Sequence, residues 1–122
     1  MSKVKIHEFD LGMYPRRIWI AITTENKFDG FSELSKMDDS SYAVVDNAHD
    51  NKNNKGGIFI RFSNKKAMTA EIISHESTHA ALEVFNYIEA RVDYLNQEPF
   101  CYLVGYIAKC CEQVKNYKFK EE

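Results

Sequence analysis

The chain has 122 residues, of which 44% are hydrophobic and 13% aromatic, and its formal net charge is −2. This length is enough for one domain with its own core and too short for two. A near-neutral, slightly acidic chain lacks the basic surface that attracts nucleic acid or anionic membranes. We therefore expect one domain over residues 1–114, a frayed charged tail over 115–122, and neither nucleic acid nor membrane as a partner.

The first residues hold no apolar signal segment, and no later apolar run is long enough to cross a bilayer. Cys101, Cys110 and Cys111 are odd in number, and two of them are neighbours that rarely bridge each other without strain. A disulfide framework is therefore not expected, which favours a reducing compartment and a soluble cytoplasmic protein. We expect the three cysteines to act as small buried hydrophobic residues.

Four strands are expected in the first half of the chain. Residues 3–9 alternate polar and apolar side chains, and residues 17–23 are rich in β-branched and aromatic types, so these two segments should pair as a hairpin. Residues 42–46 and 58–62 give the third and fourth strands. The mixed pattern of 58–62, after a long hydrophilic connection, indicates a half-exposed strand at the sheet edge.

The connections between these strands are polar. Residues 24–41 predict a loop or one short helix around 32–37, and residues 47–57, rich in asparagine with a Gly-Gly pair, predict a turn or mobile loop.

Two helices are expected in the second half. A helical pattern without glycine or proline runs over residues 67–88, and a second helix begins near Pro99 and runs to about residue 114. Gly105 interrupts the second pattern, and together with the small residues Ala80 and Ala81 it would let two helix backbones approach closely. The predicted fold class is α+β, with a small, twisted, mostly antiparallel sheet of three to four strands packed against both helices.

The first helix carries the His-Glu-x-x-His motif at His75, Glu76 and His79. Residues four apart share a helix face, so the two imidazoles can bind one metal ion. Glu76 follows His75 by about 100° around the helix, which places its carboxylate beside the metal as a general base. The motif arises by chance in roughly one such chain in a hundred, so its context decides its meaning.

A catalytic zinc usually has three protein ligands and keeps a fourth position for water or substrate. The residues that directly follow His79 include neither glycine nor histidine, which excludes a third histidine on the same segment. Glu98 follows His79 by 19 positions, at the start of the second helix. Glu83, Glu89 and Asp93 are alternative acidic candidates.

With this spacing, residues 58–107 resemble the gluzincin metallopeptidases, and most closely a small metallopeptidase of the phage type reduced to the catalytic core. The resemblance implies a zinc ion as cofactor, with His75, His79 and Glu98 as ligands and Glu76 as catalytic base. It implies hydrolysis of peptide bonds in a peptide or protein substrate that pairs with an edge strand, for which residues 58–62 occupy the corresponding place.

The sequence departs from larger gluzincins in lacking a second lobe. It leaves three candidates open for the group that stabilises the oxyanion: His49, Tyr102 and Tyr106. It also leaves open a non-enzymatic protein that acts by binding a partner, with a structural or regulatory zinc centre. In that alternative Cys101, three residues after Glu98, would fill the fourth zinc position. The oligomeric state is not indicated.

Overall fold

The computed structural model describes residues 4–38 and 40–117. These residues form one sheet, a short 3₁₀ helix at Lys65–Ala67 and two long helices, so the predicted α+β class is confirmed. The main elements are β1 (His7–Asp10), β2 (Arg17–Ile22), β3 (Ala43–Asp50), β4 (Lys55–Phe62), α1 (Ala70–Tyr87) and α2 (Glu98–Lys115).

The four strands lie in the order β1-β2-β4-β3. The pairs β1–β2 and β3–β4 are antiparallel, whereas β2 and β4 are parallel. The sheet is therefore mixed, which corrects the mostly antiparallel prediction. The chain leaves β2, passes over one face of the sheet and returns as β3 at the edge, and this crossover lets β4 insert between β3 and β2.

The prediction that residues 58–62 form an edge strand is wrong, because β4 is an interior strand and β3 is the edge. The side chains of Ile58, Phe59 and Ile60 have no exposed area, so β4 is buried on both faces. Arg61 suggested exposure in the sequence, but its guanidinium is also fully buried and binds the Asp46 carboxylate at 2.9 Å.

The connection predicted over residues 47–57 is much shorter. Asn47 to Asp50 belong to β3, and β4 begins at Lys55, so only residues 51–54 form the turn. The Asp50 carboxylate accepts hydrogen bonds from the backbone N–H groups of Lys52 and Asn53, and Asn54 adopts a positive φ of 53°. Asparagine and aspartate thus mark the turn itself, while the polar residues beside it pair as strand.

Each face of the sheet carries its own core. Residues 18, 20, 58, 60 and 62 face the two helices, while Trp19, Ala21 and Phe59 face the segment 24–38. In the described part of the stretch 24–41 no helix forms. Arg61 holds this segment on the sheet by donating to the backbone carbonyls of Glu25 and Ser35.

The two helices pack side by side on the sheet and run antiparallel. Ser77 Oγ lies 4.0 Å from Cys111 Sγ, and the rings of Phe85 and Phe100 meet edge to face at 5.3 Å. The role predicted for Gly105 is wrong: it is exposed, and a Cβ built there would meet no described atom of α1 or of the sheet within 4 Å. Ala80 and Ala81, both fully buried, account for the close packing of α1.

The chain ends follow the prediction only in part. Lys115 still belongs to α2, and the Tyr117 ring contacts the His7 ring at 4.8 Å. Residue 3 of the first predicted strand and residues 118–122 of the predicted tail lie outside the described residues.

Candidate metal centre

Helix α1 presents the two motif histidines on its exposed side. The Thr69 hydroxyl caps the helix by accepting a hydrogen bond from the Ile72 backbone N–H at 3.2 Å. Buried residues such as Ile73 and Val84 fix the opposite side against the core. His75 and His79 are therefore left exposed one turn apart, and their Nε2 atoms converge to 3.1 Å.

This convergence fits a metal ligand pair. Two nitrogens bound at 2.0–2.1 Å to a tetrahedral zinc lie about 3.3 Å apart, close to the separation of the two imidazole nitrogens. The rings meet edge to face at 77°, with centroids 4.7 Å apart, and it is the Nε2 atoms that lie closest to each other. Neutral imidazole is also a preferred zinc ligand. Two donors of the right kind are thus in place.

Glu76 lies between the histidines and the core. Its residue is only 8% exposed, and it lines the same cavity as His75 and His79. The pKa of Glu76 is raised above its ordinary value. Burial is the main cause, and positive charge on His75 and His79 offsets only part of its effect. A carboxyl group whose pKa is raised takes up a proton more readily, which suits a group that accepts and returns one.

The cavity beside the motif has a volume of about 340 Å³ and separates α1 from strand β3. On the helix side it is lined by His75, Glu76, His79 and Glu83, and on the strand side by residues 43–45. The motif therefore faces an edge strand, as the resemblance implies, although the strand is β3 and not β4.

The backbone of β3 is open toward this cavity. At its far end, the His49 carbonyl accepts from Ser32 N–H and Asn51 N–H donates to the Gly30 carbonyl, both away from β4. Backbone groups of a strand alternate in direction every residue. Ala43 and Val45 therefore direct their N–H and C=O groups outward, and no described residue pairs with these groups.

Glu98, the predicted third ligand, is not brought to the histidines. It is the exposed first residue of α2, whose first turn packs against Phe85. Phe85 lies six residues beyond His79 and ten beyond His75, about 9 and 15 Å along the helix axis. Within residues 4–38 and 40–117, no three His, Cys, Asp or Glu side chains are grouped to hold one metal ion.

Of the alternative acidic candidates, only Glu83 lines the cavity. Its carboxylate accepts a hydrogen bond from Asn47 Nδ2 at 2.9 Å. Glu89 follows the end of α1 with a positive φ of 57°, and Asp93 accepts from the Leu95 backbone N–H inside the next loop.

None of the three oxyanion candidates lines the cavity. His49 Nδ1 is 2.8 Å from Asn51 Oδ1 at the far end of β3, and Tyr106 donates its hydroxyl to the Asp10 carbonyl. Tyr102 is 73% exposed on α2. Cys101 is also exposed, against prediction, while Cys110 and Cys111 are buried as predicted, and all three are free thiols.

Sequence reasoning missed the polar contacts that hold Glu83. Asn47 was interpreted as part of a turn, but it lies on β3, donates to Glu83 and accepts from Arg16 Nη2 at 3.3 Å. Arg16 in turn stacks on the Tyr87 ring, with its Cζ 4.0 Å from the ring centroid. The alternation of residues 43, 45 and 47 on one strand face was the signal that could have placed Asn47 next to α1.

The comparisons with known proteins add no relative. No protein-family model, curated protein or solved structure matches the chain significantly. Among the described residues, neither long helix has the apolar length that a membrane crossing requires.

Proposed function

We propose that this protein is a zinc-dependent metallopeptidase in which His75 and His79 hold the metal and Glu76 is the catalytic base. The observation that carries the proposal is the convergence of the two Nε2 atoms to 3.1 Å in a cavity shared with the Glu76 carboxylate. The open edge of β3 on the opposite wall adds a surface for an extended peptide.

A zinc ion bound there supplies Lewis-acid activation of a water molecule and of the scissile carbonyl. The two histidines contribute neutral donors on one rigid helix face, so their spacing does not depend on a flexible loop. Both rings are exposed beside the cavity, so a metal ion that they held would be accessible to a substrate entering it.

Glu76 performs the proton transfers in this proposal. Its carboxylate takes a proton from the attacking water and returns it to the leaving amine. Glu76 is mostly buried on the cavity side of α1, and this position keeps its carboxylate beside the two histidines.

The outward backbone groups of Ala43 and Val45 hold the substrate. An extended peptide that adds to this edge gains main-chain hydrogen bonds, which bind it with modest dependence on its sequence. Such a peptide lies across the cavity wall that faces His75 and His79.

The third protein ligand is the part of the implied set that the geometry supports least. Glu98 would join His75 and His79 only through a movement of the first turn of α2. The arrangement described here therefore supports a site with two histidine ligands and the remaining positions filled by solvent or substrate.

Zinc binding and turnover together test the proposal. We expect the metal-free protein to bind one zinc ion by calorimetry and to cleave a pool of quenched fluorescent peptides only when zinc is restored. His75→Ala should abolish both effects, whereas His49→Ala, a histidine on the far end of β3, should retain both. Equal zinc binding by wild type and His75→Ala would contradict the proposal.

A further inference from the structure

The groove between α1 and β3 has one open end, toward the start of both elements. Tyr42 and Ile72 line a further cavity there, with a volume of about 510 Å³. Tyr42 directly precedes Ala43 on the strand side of the histidine cavity, and Ile72 lies one turn before Glu76 on the helix side. A peptide bound beside the histidines can therefore continue out of the groove at this end.

At the other end, the position next to β3 is occupied by the chain itself. The Ser32 backbone N–H donates to the His49 carbonyl at 3.0 Å, and the His49 N–H donates to the Ser32 hydroxyl at 3.0 Å. Residues 30–32 thus take the place that an added strand would occupy beside this part of the edge. A peptide that pairs with Ala43 and Val45 has to end before it reaches His49.

A side-chain hydrogen bond closes the same end from the helix side. Asn47 lies two residues beyond Val45, and its Nδ2 donates to Glu83 Oε1 at 2.9 Å, which joins β3 to α1. Arg16 Nη2 donates to Asn47 Oδ1 at 3.3 Å and so directs the amide Nδ2 toward Glu83. The Glu83 carboxylate is therefore held at the closed end of the histidine cavity, which it lines.

Glu83 has a negative charge that no described cation neutralises. It is half-buried and forms no ion pair within residues 4–38 and 40–117. A partly buried carboxylate favours a cationic ligand, because the charge of the ligand offsets the lost hydration. Of the two ends of a peptide, the α-ammonium group fits this requirement, whereas an α-carboxylate would be repelled.

The spacing along α1 determines how much peptide fits between the metal centre and Glu83. Glu83 lies one turn beyond His79, about 6 Å along the helix axis. An extended peptide rises about 3.3 Å per residue. There is thus room for only one or two residues between a bond cleaved at the histidines and a terminus bound at Glu83.

We propose that Glu83 binds the α-ammonium group of the substrate, so that the protein is an aminopeptidase that removes one or two residues from a peptide. The inference rests on the proposed function for the position of the cleaved bond. Cleavage adds one water molecule across that bond: the released fragment gains a carboxylate, and the shortened chain gains a new α-amino group. The rest of the substrate leaves the groove past Tyr42 and Ile72.

Peptide pairs that differ only at the N-terminus test this assignment. One member has a free α-amino group, and in the other this group is acetylated and uncharged. We expect the zinc-loaded wild type to shorten the free peptide from its N-terminus, with a kcat/KM about tenfold or more above that of the acetylated peptide, a size typical of a hydrogen bond to a charged group. Mass spectrometry identifies the products. Equal cleavage of both peptides at internal bonds would overturn the aminopeptidase and retain a peptidase.

Two glutamate variants assign the preference to one carboxylate. Glu83→Gln keeps the shape of the side chain and removes its charge, so the preference for the free peptide should disappear. Glu112→Gln, at an exposed position of α2 outside the cavity, should keep it. A preference that persists in Glu83→Gln, or is lost equally in both variants, would overturn the role of Glu83. A loss of zinc binding in Glu83→Gln would overturn it as well, because Glu83 would then be a metal ligand.

Binding without turnover separates this site from the peptidase itself. The probes are the same two peptides with fluorescein at the C-terminus, and the protein is the full zinc-loaded chain with Glu76→Gln. We expect the free peptide to bind about tenfold more tightly than the acetylated one in fluorescence anisotropy. That preference without any cleavage by the wild type would retain the site for the α-ammonium group and reject the peptidase. Equal binding of the two peptides would overturn the site.

Discussion

Helix α1 has two flanks that differ in exposure: one packs against α2, the packing flank, and the other faces strand β3, the site flank. On the flank toward α2, Ala81 and Phe85 are buried and Phe85 packs on Phe100. On the flank toward β3, His75 and His79 are exposed beside a cavity. The packing flank fixes the helix, and that fixed helix holds the Nε2 atoms of the two histidines 3.1 Å apart.

The largest effect is expected on the packing flank. Phe85→Ala removes a buried ring from its contacts with Phe100 and Tyr14 and should lower the free energy of unfolding by about 3–4 kcal/mol. Urea unfolding of the metal-free protein measures this. Leu82→Ala, at a 42% exposed position of the same helix, is the control and should cost less than about 1 kcal/mol. Equal costs would show that the packing flank is misassigned.

On the site flank, a substitution should weaken zinc binding and leave the stability of the metal-free protein almost unchanged. His79→Ala removes one of the two proposed metal donors, so zinc affinity should fall by about a hundredfold or more, while the stability of the metal-free protein should change by less than about 0.5 kcal/mol. Calorimetric zinc titration and urea unfolding of the same samples separate the two quantities. A large loss of stability without loss of zinc would make His79 a packing residue.

Substitutions on strand β3, the edge strand opposite the site flank, should have an intermediate effect, measured on peptide turnover. Val45→Pro removes an outward N–H without removing a bond to β4, since Val45 directs its backbone groups away from that strand. We expect about a tenfold lower kcat/KM for peptides. Val45→Ala removes two methyl groups and keeps the backbone N–H, so it serves as the packing control. An equal loss in both variants would argue against backbone pairing.

The smallest effect is expected at Glu98. Because the first turn of α2 faces Phe85 and not His79, Glu98→Gln should change zinc affinity by no more than about twofold. Titration alongside Glu83→Gln gives a comparison with the acid that does line the cavity. A tenfold loss for Glu98→Gln would instead show that α2 moves on metal binding and that the full ligand set implied by the resemblance is correct.

Local periodicity was sufficient to predict α1, α2 and the shared helix face of His75 and His79, because residues four apart lie one turn apart on a helix. It was insufficient for the sheet order. Arg61 looks like a surface residue until its partner Asp46 is known, and that partner is fixed by long-range pairing. Glu98 illustrates the same limit. Its separation from His79 along the chain could be read from the sequence, but α1 continues for two turns beyond His79, so the start of α2 lies away from the two histidines.

The proposed role of Glu76 in peptide hydrolysis at a zinc ion held by His75 and His79 can be tested by comparing zinc content and peptide turnover in wild type and Glu76→Gln at matched concentrations. We expect one zinc per chain in both proteins and at least a hundredfold lower turnover in the variant, since the amide can no longer accept a proton. Equal turnover in the two zinc-loaded proteins would contradict it.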